Sequence, residues 1–152
     1  MTSLPDRRQV TGSTPLPHVR RILETALYCE SLERTADFYR SLLDTAPMFE
    51  SERLVAFNAG EGTLLLLFQR GESSKPLEST GGLIPPHDGS GPVHLALAID
   101  AAELPAWESR LAVLGIAIES RVTWERGGQS LYFRDPEGRS VEFATPGTWP
   151  VY

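Results

Sequence analysis

The sequence predicts an α+β fold: two βαβββ modules forming a partly closed mixed sheet around a pocket. Three observations lead there. Runs of strand and helix length appear twice in the order strand, helix, strand, strand, strand. A Gly-, Pro- and Ser-rich stretch separates the two series. Alternation along the outer strands makes one face bulky and apolar and leaves the other with small side chains and a single ligand-type residue.

The first series opens with Ile22–Cys29, mostly apolar and β-compatible. Ser31 stands where a helix N-cap is expected, and Leu32, Ala36, Tyr39, Leu42 and Leu43 recur at helical spacing, which predicts an amphipathic helix over Leu32–Leu43. Strands follow at Pro47–Glu50, Leu54–Asn58 and Thr63–Gln69, with Ala59-Gly60-Glu61-Gly62 as the turn between the last two. Gly71–Pro92 is too long for a tight turn and reads as a linker or functional loop. The second series places strands at Val93–Ile99, Ile116–Val122, Ser130–Arg134 and Ser140–Ala144. Its helix, Glu103–Leu114, is closed by Gly115, and Asp135-Pro136-Glu137-Gly138 turns the chain between the last two strands.

This pattern divides the chain into a flexible N-terminal arm at 1–17 and a single domain at 18–152. Module one lies at 21–70, the linker at 71–92 and module two at 93–146. With 152 residues, 41% of them apolar, the chain is long enough to bury its own core. A net charge of -6 without a basic stripe argues against nucleic-acid or anionic-membrane binding, and the longest apolar run, Leu64–Phe68, is too short to span a bilayer. The one cysteine, Cys29, cannot form an internal disulfide. With no secretory pattern at the start of the chain, cytoplasmic residence is expected.

Alternation assigns the faces. Glu24, Ala26 and Tyr28 share one side of the first strand; His94, Ala96 and Ala98 share one side of the fifth; Ser140, Glu142 and Ala144 share one side of the last. In each case the opposite side is bulky and apolar, suited to lie under a helix, and Cys29 falls there as an inert core residue. A charge in a dry core without a partner would be costly, so Glu24, His94 and Glu142 are expected to look into a pocket. The fourth strand differs: the middle of either face is apolar.

Three segments carry a resemblance: Glu24-Thr-Ala-Leu-Tyr-Cys-Glu-Ser-Leu-Glu-Arg-Thr-Ala-Asp-Phe-Tyr39, Val93-His-Leu-Ala-Leu-Ala-Ile-Asp100 and, most specifically, Leu131-Tyr-Phe-Arg-Asp-Pro-Glu-Gly-Arg-Ser-Val-Glu-Phe143. From about Ile22 to Trp149 the chain resembles the vicinal oxygen chelate superfamily of glyoxalase I, bleomycin-resistance proteins, fosfomycin-resistance enzymes and extradiol dioxygenases. The resemblance implies a divalent metal held by residues from the first and fourth strands of each module. By position these are Glu24, Leu66 or a neighbour, His94 and Glu142. Leucine cannot ligate, which leaves a three-residue site of Glu24, His94 and Glu142. Two carboxylates and one imidazole suit Fe(II), Mn, Ni, Co or Mg better than a closed thiolate zinc site.

The implied function is a divalent-metal-dependent enzyme acting on a small substrate with vicinal oxygens, as a lyase, isomerase or ring-cleaving dioxygenase. Glu142, Tyr28 and Tyr132 are the candidate catalytic residues, and Arg134 and Trp124 the candidate substrate contacts. His87 sits in the Gly/Pro-rich loop, either as a surface residue or closing over the site, and Trp107 is expected in the core. The resemblance also admits a metal-free protein that sequesters a small molecule, as the bleomycin-binding members do, and a homodimer is expected in either case.

Overall fold

The computed structural model describes residues 16–152, so residues 1–15 of the expected arm lie outside the described residues. Module one consists of β1 (Glu24–Cys29), α1 (Leu32–Leu43), β2 (Phe49–Glu50), β3 (Leu54–Asn58) and β4 (Leu64–Gln69). The linker contains a small hairpin, β5 (Leu77–Ser79) and β6 (Gly82–Ile84). Module two consists of β7 (His94–Ala98), a 3-10 turn at Ala101–Glu103, α2 (Leu104–Val113), β8 (Ser120–Thr123), β9 (Gln129–Arg134) and β10 (Ser140–Ala144). Among the described residues no helix is long and apolar enough to cross a membrane.

Each module is a four-stranded mixed sheet with the same order, β1-β4-β3-β2 and β7-β10-β9-β8, its first strand parallel to its last. The register repeats as well. Glu24 faces Leu64 and Ala26 faces Leu66 in module one; His94 faces Ser140 and Ala96 faces Glu142 in module two. Glu24 therefore occupies the place of His94, and Leu66 the place of Glu142.

Both sheets turn their helix-covered sides toward one shared core. Leu27, Cys29, Val55, Phe57, Leu65 and Leu67 from module one meet Leu131, Phe133, Val141 and Phe143 from module two, with Tyr39, Leu42 and Leu111 from the helices. Full burial of such side chains contributes on the order of 1.5–3 kcal/mol each. Trp107 packs against this core and lies 4.5 Å from the Phe143 ring.

A clamp of polar groups joins the modules. Arg139 donates to Asp135 at 2.8 Å and to the backbone carbonyl of Tyr28, and the Tyr39 hydroxyl donates to the same Asp135 carboxylate at 3.1 Å. The Ser31 side chain does not cap α1. The Glu137 carboxylate reaches across from module two and accepts from the Ser31 backbone N–H (3.1 Å) and the Thr35 hydroxyl (3.3 Å), while Gln69 accepts from the Leu32 N–H. The signal that reads as a turn, Asp135 to Arg139, is thus also the inter-module joint.

Three expectations are corrected. The linker carries a hairpin. The predicted strand over Ile116–Val122 begins only at Ser120, because Ile116 and Ile118 pack unpaired against the core. The sheet arrangement is open: with the helix sides of both sheets committed to one core, the other two faces look away from it and enclose no common pocket among the described residues.

Candidate functional site

On the free face of module two, β7, β10 and β9 set side chains in rows across the sheet. His94, Ser140 and Arg134 form one row, and Ala96, Glu142 and Tyr132 the next. His94 and Glu142 are diagonal neighbours on adjacent strands, which brings His94 Nε2 to 3.1 Å from Glu142 Oε2. His94 Nδ1 lies 3.0 Å from the Ser140 carbonyl oxygen. The carbonyl only accepts and calls for a proton on Nδ1, whereas the Ser140 hydroxyl, 3.2 Å from Nδ1, can donate to an unprotonated Nδ1 and leave the Nε2–H to donate to Glu142.

In the Nδ1–H tautomer, Nε2 and Glu142 Oε2 face each other as two acceptors, an arrangement that a proton or a metal ion between them satisfies. The second carboxylate oxygen, Glu142 Oε1, is buried and has no hydrogen-bond partner among the described residues. Leaving such an oxygen unpartnered is expensive, and a cation would satisfy it. A ligating histidine characteristically has its other nitrogen held by a carbonyl or carboxylate, as the Ser140 carbonyl holds His94. His94 and Glu142 therefore fit two donors of a divalent metal site.

Tyr132 stands beside this pair, its ring centroid 6.1 Å from that of His94. Burial first, and the Glu142 carboxylate second, push its phenol above the ordinary tyrosine range, so it keeps its proton and is a donor at neutral pH. Trp124, in the turn between β8 and β9, donates from its indole to the Ser130 hydroxyl at 2.8 Å, at the edge of the same face. Arg134 is engaged by Glu119 at 2.5 and 2.8 Å and by the Gly138 carbonyl. Its ion-pair partner is Glu119.

Module one holds the remaining candidates. Glu24 is exposed at the start of β1, beside Leu64. Within one chain it does not join His94 and Glu142; among the described residues no three His, Cys, Asp or Glu side chains converge as a metal would require. Tyr28 lies on this other free face, hydrogen-bonded to His87 at 2.7 Å. The sequence offers His87 either as a surface residue of the linker or as one closing over the site, and it lies against Tyr28 on the module-one face. The only hint of its seat was the position of the linker next to a face bearing Tyr28.

Residues 21–143 match the Glyoxalase/Bleomycin resistance protein/Dioxygenase superfamily. Over 117 residues the chain is 26% identical to a metallothiol transferase FosB from Shouchella clausii, covering 76% of this chain and 73% of that protein. A FosB from Bacillus licheniformis is 28% identical over 115 residues, 75% of this chain and 68% of that protein. The crystal structure of a lactoylglutathione lyase from Agrobacterium tumefaciens superposes with a TM-score of 0.77 at 34% identity, covering 87% of this chain and 98% of that one. With the duplicated register and the match over both modules, the chain belongs to the glyoxalase/bleomycin resistance protein/dioxygenase superfamily.

Proposed function

We propose that this protein is a divalent-metal-dependent enzyme acting on a small substrate with two adjacent oxygens, in a lyase, isomerase or thiol-transfer reaction. The observation that carries the reading is the His94–Glu142 pair, with Nε2 3.1 Å from the carboxylate and a buried, unpartnered Oε1 beside it. Relatives named metallothiol transferase and lactoylglutathione lyase support it, since both names describe chemistry at a thiol or thioester. A bound Mn, Fe(II), Co, Ni or Mg would act as a Lewis acid on the substrate oxygens.

The third donor is Glu24 of a second copy of the chain. Because the two free faces of one chain look away from each other, a twofold dimer that lays the module-one face of one copy on the module-two face of the other would create two identical sites. In each, Tyr132 donates its retained proton to a substrate oxygen, and Trp124 closes the rim. Arg134 contacts an anionic substrate group only by exchanging Glu119 for it.

The test is metal uptake by protein purified without chelator and then offered Mn, Co or Ni, read by elemental analysis. The expected result is about one ion per chain in the wild type and strong loss in His94→Ala and Glu142→Ala. A wild type that takes up none of these ions refutes the proposal.

A further inference from the structure

The two modules share a core, but their sheets do not join. β1 and β7 are outer strands, and among the described residues no backbone hydrogen bond links them. A cavity of about 680 Å³ opens between them, with Leu65, Leu95, Leu97 and Trp107 in its walls. That is the size of a site for a small organic molecule. None of Glu24, His94 and Glu142 lines it.

Module two leaves its apolar wall unfinished at this place. The helix of module one buries Leu32, Thr35, Ala36, Tyr39 and Leu42, whereas α2 buries only Leu111. By the repeated register Leu97 stands where module one has Leu27. Leu27 is buried, while Leu95, Leu97 and Trp107 are half-buried and border the cavity. Covering the apolar surface they still expose would be favourable. The rim above that wall is of one sign. Glu61 in the turn between β3 and β4, and Asp100 and Glu103 at the 3-10 turn before α2, all line the cavity, and no Lys or Arg does. Among the described residues none of the three is in an ion pair. Arg21, beside this rim, donates instead to the Gly62 carbonyl at 3.2 Å. Nor do three acidic or histidine side chains among the described residues converge closely enough to hold a metal ion, so the rim suits the diffuse charge of an organic cation and not a bare ion.

We propose that the cavity between β1 and β7 binds a small amphipathic organic cation. Its apolar body covers Leu95, Leu97 and Trp107, and its ammonium group stands among Glu61, Asp100 and Glu103. The site is separate from the proposed metal centre, and its ligand needs no metal.

Protein held in EDTA is titrated with benzyltrimethylammonium and, separately, with 3-phenylpropionate, an anion of similar size. The indole N–H signal of Trp107, assigned with Trp107→Phe, is followed by NMR. The cation is expected to shift that signal saturably, and the anion to leave it in place. In the Glu61→Gln/Asp100→Asn/Glu103→Gln protein, affinity for the cation is expected to fall about fivefold or more. His94→Ala and Glu142→Ala are expected to bind the cation as the wild type does. A Trp107 signal that the cation leaves unmoved overturns the proposal. So does equal binding by a folded triple variant, or equal affinity for the anion. Loss of binding in His94→Ala would put the cation on the other face of the sheet and overturn it as well. No metal is present, so the outcome stands whatever the metal uptake shows.

Discussion

Two buried carboxylates in module two are handled in opposite ways, and the contrast separates architecture from chemistry. Asp135 is saturated by the Arg139 guanidinium, the Arg139 backbone N–H and the Tyr39 hydroxyl. Glu142 keeps an oxygen unpartnered. Arg139→Ala, which strands Asp135 in the core, is expected to cost about 3–5 kcal/mol of stability in urea denaturation. Arg134→Ala removes a surface pair with Glu119 and should leave the urea midpoint unchanged within error. Tyr39 supplies a pH dependence. Burial first, and Asp135 next, raise its phenol well above 10.0, so the folded state holds this proton longer than the unfolded chain does. That contribution is complete below about pH 10 and is lost as pH rises beyond it toward the raised folded value. Alkaline titration of stability should therefore fall more steeply in the wild type than in Tyr39→Phe. The faces of Glu24, Tyr28, His94 and Glu142 were legible from alternation alone. The true cap of α1 was not, because Glu137 lies 106 positions from Ser31 and a local reading favours the neighbouring hydroxyl.

Among the elements, the α1 helix and the β3 and β10 strands were legible to the residue, since each combines a clear period with nearby turn signals. The linker hairpin carries no clear sequence signal because its strands are three residues long and set among Gly, Ser and Pro. Ile116 and Ile118 misled for the opposite reason: alternating apolar residues also suit an unpaired segment pressed against a core. One turn depends on glycine for space. The turn entering β9 touches the segment after β10 so closely that a Cβ on Gly128 would lie 2.2 Å from the Thr148 nitrogen and 2.3 Å from the Gly147 carbonyl carbon. Gly128→Ala forces backbone to move and is expected to destabilise by about 1–3 kcal/mol, seen as a lower thermal midpoint. Since Trp124 anchors in the same turn, its fluorescence should change in that variant.

For the whole molecule, the sequence announced two modules and their inward residues but not which faces meet. That choice depends on side chains converging from both halves on one core, and no local pattern encodes it. On the proposed reading, the complete site is a property of two chains. Glu24→Ala and Glu142→Ala homodimers should each lack intact three-donor sites. After the two are mixed and allowed to exchange subunits, each heterodimer regains one, so about a quarter of all sites should recover metal affinity. No recovery despite proven exchange would place all the donors within one chain.

The carboxylate that caps α1 from the far end of the molecule has a consequence for biosynthesis. While a ribosome is still adding module two, the first turn of α1 lacks the Glu137 carboxylate, and the sheet beneath it lacks the opposing apolar layer of Leu131, Phe133, Val141 and Phe143. Nascent chains stalled before residue 135 should therefore be open to protease near Ser31, and protection should arrive late, when the last two strands emerge together.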